Sequence, residues 1–290
     1  MLTSTLDNMD NMKDMKDMKD MAAMKDMKDM AAMAAMKDTV VNLYVYKYIV
    51  TLLLTYLSAR LSYKWFNLDR VWWDSFTRVI STINALICFY VTVVTVELSS
   101  DQAWMQFYYR GNDETRQLFM FMPAYLFVDG TFQVIDLIET SKNSRTGRTD
   151  RSDRSYKWLT LDNAVGLIHH GVGSLGMWMI ISTCRAYAVG LYYAATELST
   201  LFLNLSWGLN KAKVKDIRLS AAFCLFALFF FIFRIASIPV LHEFIDDNWS
   251  HIYELPLTQY IMIVWGTRCL TILNLFWFYQ IVKKILCLAV

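Results

Sequence analysis

The chain has 290 residues, of which 56% are hydrophobic and only 19% are charged, and its mean hydropathy is +0.31. A soluble domain of this length carries more charge and shorter apolar runs, and a net charge of only +2 argues against nucleic-acid binding. The five cysteines stand singly in or beside apolar runs, which indicates neither a disulfide framework nor a CxxC metal spacing. This composition predicts a membrane protein with several spans.

The first 38 residues differ in composition from the rest of the chain. The tripeptide Met-Lys-Asp recurs there, interrupted by Met-Ala-Ala units, and eight aspartates outnumber six lysines. A segment without aromatic residues and with very few branched ones cannot bury a core of its own. It also lacks the basic start and the unbroken apolar run of a secretory signal. Residues 1–38 are therefore expected to form a disordered low-complexity tail.

Apolar segments close to the bilayer-spanning length of about 20 residues follow one another from Val40 onward. Each is expected to be helical, because a backbone inside hydrocarbon must satisfy its own polar groups. The sequence thus predicts an all-α polytopic transmembrane helix bundle of about seven spans, and Lys47 in the first makes six the alternative. The predicted spans are residues 40–59, 79–97, 118–138, 159–182, 186–206, 219–242 and 257–282.

The loops between these segments differ in charge. Lysine and arginine are concentrated after the first, third, fifth and seventh predicted spans, whereas the loop after the sixth has four acidic residues and no lysine or arginine. By the positive-inside rule, the odd-numbered loops and the C-terminus are expected in the cytosol. The acidic loop contains an N-glycosylation sequon at Asn248. The endoplasmic reticulum or another endomembrane is the expected location.

Several ionisable or polar side chains lie inside the predicted spans, where such groups usually face a bundle interior or a cavity. The third and fifth spans each carry two of them seven residues apart, and this spacing places both on one helix face. We interpret the whole set as candidate lipid-binding or catalytic residues. They are Asp129, Asp136, Asp162, His169, His170, Glu197, Asn204 and Arg234.

His169 and His170 are adjacent within an otherwise apolar stretch. Successive residues of a helix point about 100° apart, so the two rings face different surroundings and cannot have the same role. One is expected to line a cavity and the other to contact a neighbouring helix, and passive packing of both is the alternative. An imidazole that Asp129 or Glu197 orients is also a competent nucleophile or general base for acyl transfer. A metal site is disfavoured, because there is no His-x3-His spacing.

Five short motifs follow one another along the chain. They are Arg78-Ser81-Asn84-Ala85, Ala124-Tyr125-Asp129, His169-His170, ELSTLFLNLSW from Glu197, and Arg234 with Pro239. In this order they resemble the motifs of the TLC-domain family, which includes ceramide synthases and lipid-regulating relatives. Asparagine replaces the family's histidine in the first motif, and Leu201 replaces a proline in the fourth.

The resemblance covers the chain from Trp73 to Tyr279. It implies a first membrane span and linker over residues 39–72, a TLC-like transmembrane domain over 73–282 and a short cytosolic tail over 283–290. It also adds Arg78 and Asn84 to the candidate lipid-binding residues.

The resemblance is closer to the non-synthase members of this family than to the ceramide synthases. Ceramide synthases carry an Asp-x-x-Asp element after the histidine pair, where this chain has Glu197, Ser199, Thr200 and Asn204. The expected function is therefore to bind, sense or regulate membrane lipids through a polar-lined cavity, with membrane lipids as partners and no cofactor.

Two alternative functions stay open. One is a ceramide-synthase-type N-acyltransferase with His169 and His170 as catalytic residues and acyl-CoA as co-substrate. The basic loop over residues 142–157 is then expected to attract the CoA phosphates or anionic headgroups, although it also serves to fix the orientation. The other alternative is a trafficking or chaperone role in the endoplasmic reticulum. Assembly as a homo-oligomer or with other membrane proteins is compatible with all three functions.

Overall fold

The computed structural model describes residues 43–98, 113–145, 161–183 and 185–288, and these residues contain helices but no strand. Two π-helical segments, Phe231–Ala236 and Ile261–Gly266, lie among the α-helices. The predicted tail, residues 1–38, lies outside the described residues. The α-helices are α1 (43–65), α2 (Arg70–Leu98), α3 (Asp113–Phe119), α4 (Phe121–Arg145), α5 (Leu161–Thr183), α6 (Tyr187–Thr196), α7 (Leu198–Lys211), α8 (Ile217–Phe230), α9 (Ile238–Asp247), α10 (Trp249–Tyr253), α11 (Leu257–Tyr260) and α12 (Thr267–Leu288).

The expected all-α polytopic bundle is confirmed, and five helical stretches are long and apolar enough to cross a membrane. The first and fifth predicted spans are helical but do not belong to these five. Lys47 and Arg60 lower the hydropathy of α1, and the fifth predicted span is divided at Glu197 into α6 and α7, of 10 and 14 residues. The five stretches are Arg70–Glu97, Thr115–Glu139, Asn163–Thr183, Ile217–Asp247 and Leu257–Leu286.

The close packing of α4 against α5 positions the histidine pair. A Cβ atom at Gly130 of α4 would lie 3.1 Å from the Cβ of His170, and one at Gly173 of α5 would lie 3.0 Å from a methyl of Leu126. Small residues of this kind let two membrane helices approach closely. The two glycines therefore allow α5 to present His170 directly to α4.

The π-helical segment Phe231–Ala236 lies within the fourth of these membrane stretches and contains Arg234. Pro239, in the first turn of α9, has no N–H to donate to the carbonyl of Ile235, and its ring crowds that carbonyl. A wider turn before the proline accommodates this mismatch, and such single turns are frequent at functional sites. Here the wider turn carries the one arginine of the stretch whose side chain is buried.

Aspartate side chains mark the starts of α2 and α8. Asp69 accepts a hydrogen bond from the backbone N–H of Trp72, and Asp216 accepts one from the N–H of Arg218, both at 2.9 Å. The Arg218 side chain also donates to the Asp216 carboxylate, and these bonds lower the pKa of that carboxyl. Both caps satisfy donors that a helix N-terminus leaves free, so they fix where these spans begin.

Candidate functional site

A cavity of about 420 Å³ lies among α4, α5, α7, α8 and α12. This volume is within the range of small-molecule sites in proteins. Four ionisable side chains group on its wall: His169, His170, Glu197 and Arg234. The rest of the wall is largely apolar. It is formed by Leu126, Leu203, Phe223, Phe226, Phe230, Trp277 and Ile281, and it also includes the polar side chains of Ser81, Tyr125, Ser199, Thr200, Gln280 and Lys284. The lining is therefore amphiphilic, with a polar group of side chains set inside an apolar wall.

Arg234 and Glu197 form an ion pair that is almost fully buried, with both side chains 7% exposed. Nη2 of Arg234 lies 3.3 Å from Oε1 of Glu197, and Nη1 donates to the amide oxygen of Asn274 at 3.3 Å. Nε donates to the carbonyl of Thr196 and to the hydroxyl of Ser199, each at 3.1 Å. A buried charge needs this degree of pairing, because its desolvation costs several kcal/mol. Glu197 and Arg234 therefore neutralise each other inside the bundle.

His169 faces the cavity without a hydrogen bond of its own. Its Nδ1 is buried and has no hydrogen-bond partner among the described residues. Its Nε2 lies 4.0 Å from Oε1 of Glu197, which exceeds hydrogen-bond length. The ring is held edge-on against Trp277, with the centroids 5.2 Å apart. Packing therefore positions His169, and neither ring nitrogen has a hydrogen-bond partner among the described residues.

His170 is held by α4 through a chain of hydrogen bonds. Its Nδ1 lies 3.3 Å from the carbonyl oxygen of Leu126, and its Nε2 lies 3.0 Å from the amide nitrogen of Gln133. The Gln133 amide also donates to Asp129 at 2.8 Å, and the hydroxyl of Tyr56 donates to the other Asp129 oxygen at 2.8 Å. Tyr56 comes from α1, so this chain joins three helices.

The partners of His170 determine its tautomer. A carbonyl oxygen can only accept, so Nδ1 donates to Leu126, and in that tautomer Nε2 accepts from the Gln133 amide. Asp129 lies 3.5 Å from the same Nε2, and Gln133 bridges the two groups. Both ring nitrogens of His170 are therefore held by contacts with α4. Both rings line the cavity, and His170 is the one that hydrogen bonds tie to a neighbouring helix, so the expected division between the two histidines holds only in part.

Asp136, the second predicted carboxylate of α4, belongs to a different cluster and does not line the cavity. Its carboxylate pairs with Arg60 at 2.5 Å and with Arg70 at 3.1 Å, and it accepts from the Trp73 indole at 3.0 Å. Arg60 also pairs with Glu139 at 2.7 Å. These contacts join α1, α2 and α4, so Asp136 connects helices at one end of the bundle. The seven-residue spacing placed it on the face of Asp129, which does not line the cavity either, and two helical turns carry Asp136 to Arg60 and Arg70.

Arg78, Asn84 and Asn204 also lie outside the cavity lining. The Asn204 amide accepts from Arg78 at 2.9 Å and donates to Thr82 at 3.0 Å, so Arg78 and Asn204 together connect α2 and α7. Asn84 is fully buried, and its Nδ2 has no hydrogen-bond partner within the part of the chain that the structure describes. The side chain of Asp162 falls outside the described residues, as does most of the basic loop over 142–157.

Four side chains of this site were not anticipated from the sequence. Gln133 follows Asp129 by one helical turn, and this spacing was a usable signal. Tyr56, Trp277 and Lys284 lie on α1 and α12, far from the histidines in sequence, and nothing in their local sequence distinguishes them from other aromatic or terminal basic residues. Within the described residues there is also no group of three or more His, Cys, Asp or Glu side chains that could hold a metal ion.

Comparison with known protein families gives a match to the TLC domain over residues 45–283. The chain belongs to the TLC-domain family. The matched region begins within α1 and therefore includes Tyr56 and Arg60, together with every residue of the cavity lining except Lys284. Together with the five apolar stretches, the match shows that the TLC-domain protein is a multi-pass integral membrane protein. No curated protein matches the chain.

Proposed function

We propose that this TLC-domain protein binds a membrane lipid in the cavity of α4, α5, α7, α8 and α12, and that it regulates membrane lipid composition through this binding. The observation that carries the proposal is the lining, in which His169 and the Glu197–Arg234 pair stand inside an apolar wall. Such a wall takes up hydrocarbon, and the few polar groups orient the polar part of the ligand. A lipid has both parts.

Each polar residue has a distinct part in this proposal. His169 offers hydrogen bonds to an ester, amide or hydroxyl group of the lipid. The Glu197–Arg234 pair fixes the wall beside the ring, and Trp277 holds the ring edge-on. His170 acts through α4, as a positioning residue that keeps α5 in register with Asp129 and Gln133.

Replacement of His169 by alanine is expected to abolish the effect of the protein on the lipid profile while leaving its abundance unchanged, because no hydrogen bond within the described residues depends on this ring. His170→Ala is expected to abolish the effect and also to lower abundance, because it removes the hydrogen bonds to the Gln133 amide and the Leu126 carbonyl that tie α5 to α4, at about 0.5–1.5 kcal/mol each. The measurement is a mass-spectrometric lipidome of cells that express each variant.

The matched control is Ile168→Ala, on the same helix and outside the cavity lining, with a side chain that is 46% exposed. This variant should retain the wild-type lipid profile. A wild-type profile for His169→Ala at equal abundance would contradict the proposed role of the ring.

A second candidate function is N-acyl transfer, and the 4.0 Å approach of the Glu197 carboxylate to Nε2 of His169 favours it. A carboxylate beside an imidazole supports its use as a general base toward an amine. Purified protein supplied with acyl-CoA and a long-chain amine distinguishes the two functions. Lipid binding alone gives no amide product, whereas acyl transfer gives a product that His169→Ala abolishes.

We further propose that the protein resides in the endoplasmic reticulum or another endomembrane with its C-terminus in the cytosol, on the strength of the loop charges. The sequon residue Asn248 lies between α9 and α10, and its amide donates to the carbonyl of Phe244 at 2.8 Å. A flexible Gly/Ser insertion around the sequon should make it accessible. We then expect a glycosidase-sensitive shift in mass, and none for a matched acceptor placed within the basic loop over 142–157. The reverse pattern would invert the proposed orientation.

A further inference from the structure

The cavity has another polar feature, which the proposed function does not use. One face of α12 lines the cavity with residues spaced three, four and seven apart, and this spacing keeps them on one side of a helix. These residues are Trp277, Gln280, Ile281 and Lys284. Trp277 contacts His169, whereas Lys284 lies near the end of the last membrane stretch. This face of α12 therefore runs from His169 toward the end of the last span.

Lys284 carries a positive charge that no carboxylate compensates among the described residues. Its ammonium group lies 5.1 Å from the centroid of the Phe223 ring, and its side chain is exposed. The other two permanent charges of the lining, on Glu197 and Arg234, neutralise each other at 3.3 Å. The cavity thus has a neutral inner ion pair and, about two helical turns away, a cation that has no carboxylate partner among the described residues.

The separation between these two features suits a lipid that is oriented along the helix. Seven residues of α12 separate Trp277 from Lys284, and they correspond to a rise of about 10 Å. The headgroup region of one leaflet is roughly 5–8 Å thick. The rise of about 10 Å is a little more than this thickness, and the long flexible side chain of Lys284 spans the difference. An anionic headgroup at Lys284 then leaves the ester linkages of the same molecule near His169, and Phe226 and Ile281 also line the cavity.

We propose that the ligand of this cavity is a glycerolipid with a phosphate headgroup, which Lys284 binds while His169 contacts the ester region. This inference rests on the proposed lipid-binding function and adds the chemical class of the lipid. Phosphate attracts a lone ammonium group and cannot approach the inner ion pair without meeting the carboxylate of Glu197. The orientation of the lipid follows from this difference, with the headgroup toward the end of the span.

Equilibrium binding to the purified full-length protein in a nonionic detergent tests this proposal. The two probes are dioleoyl phosphatidic acid and dioleoylglycerol, which have the same chains and esters but differ in the phosphate. Lys284→Gln is expected to weaken phosphatidic acid binding about fivefold, because each lysine near an anionic lipid surface contributes about 1 kcal/mol. It should leave dioleoylglycerol binding unchanged. Lys283→Gln, which removes an adjacent exposed lysine outside the cavity lining, should change neither.

The outcomes separate the headgroup assignment from the proposed function. Equal binding of both probes by the wild type and by Lys284→Gln would overturn the headgroup assignment and leave lipid binding intact. Failure of both probes to bind the wild type would overturn the proposed function and this inference with it. Glycerol 3-phosphate is a competitor for the bound phosphatidic acid. If it displaces the bound lipid as strongly as added phosphatidic acid does, the site binds free phosphate, and this result would also overturn the headgroup assignment.

Discussion

Glu197→Gln is expected to destabilise the protein by about 3–5 kcal/mol, because it leaves the guanidinium of Arg234 buried without a counter-charge. Both side chains are 7% exposed, so solvent cannot compensate the loss. The remaining partners of Arg234 in the described structure, on Thr196, Ser199 and Asn274, are neutral acceptors. Arg234→Gln should destabilise the protein in the same sense, by leaving the carboxylate of Glu197 unpaired.

The double variant Glu197→Gln with Arg234→Gln is expected to be less destabilised than either single variant, since no uncompensated charge remains. Thermal unfolding of the purified variants in detergent measures this order. Lys64→Gln is the control, because it breaks an exposed pair with Glu139 whose side chains are 55% and 41% exposed. Exposed pairs contribute only about 0–1 kcal/mol. A double variant that unfolds at a lower temperature than both single variants would contradict the role of this pair.

Much of this fold could be predicted from hydropathy alone. Five of the seven predicted spans correspond to helices long and apolar enough to cross a membrane, because a backbone in hydrocarbon has few alternatives to a helix. The segment at 186–206 was predicted as one continuous span, but the chain divides at Glu197 into α6 and α7. A hydropathy average over the segment conceals this division, which is where the buried carboxylate contacts Arg234.

The identity of the polar residues was also predictable, but not all of their partners. Ionisable groups inside spans were expected to group together, and His169, His170, Glu197 and Arg234 do so. Asp136 does not, because two helical turns take it to the arginines of α1 and α2. Which carboxylate lies beside which histidine depends on how the helices pack, including α4 against α5. From the sequence, Asp129 and Glu197 were equal candidates for the carboxylate that orients an imidazole.

The contributions of α1 and α12 needed the three-dimensional structure. Tyr56 reaches Asp129 across 73 positions of sequence, and Trp277 reaches His169 from the last span. Neither contact leaves a local pattern, because each depends on which helices are neighbours. Packing and hydrogen bonds determine which membrane helices associate, and a single sequence gives little information on either.

A bulky side chain that fills the cavity is expected to weaken the affinity for lipid about tenfold or more, since overpacking an occupied site costs about 1–3 kcal/mol. Leu203 of α7 lines the cavity, whereas Leu205, two residues further along, lies outside the lining. Leu203→Trp places an indole where the lipid chain is proposed to lie. Leu205→Trp adds the same side chain at a position that is 50% exposed, and it serves as the matched control.

Photocrosslinking of a diacyl phospholipid with a photoactivatable chain, followed by mass-spectrometric mapping of the labelled peptides, tests cavity occupancy most directly. We predict labelling of peptides from α7, α8 or α12 in the wild type and in Leu205→Trp, and its loss in Leu203→Trp at equal protein abundance. Labelling spread evenly over the bundle, or unchanged in Leu203→Trp, would contradict a lipid site beside His169 and the Glu197–Arg234 pair.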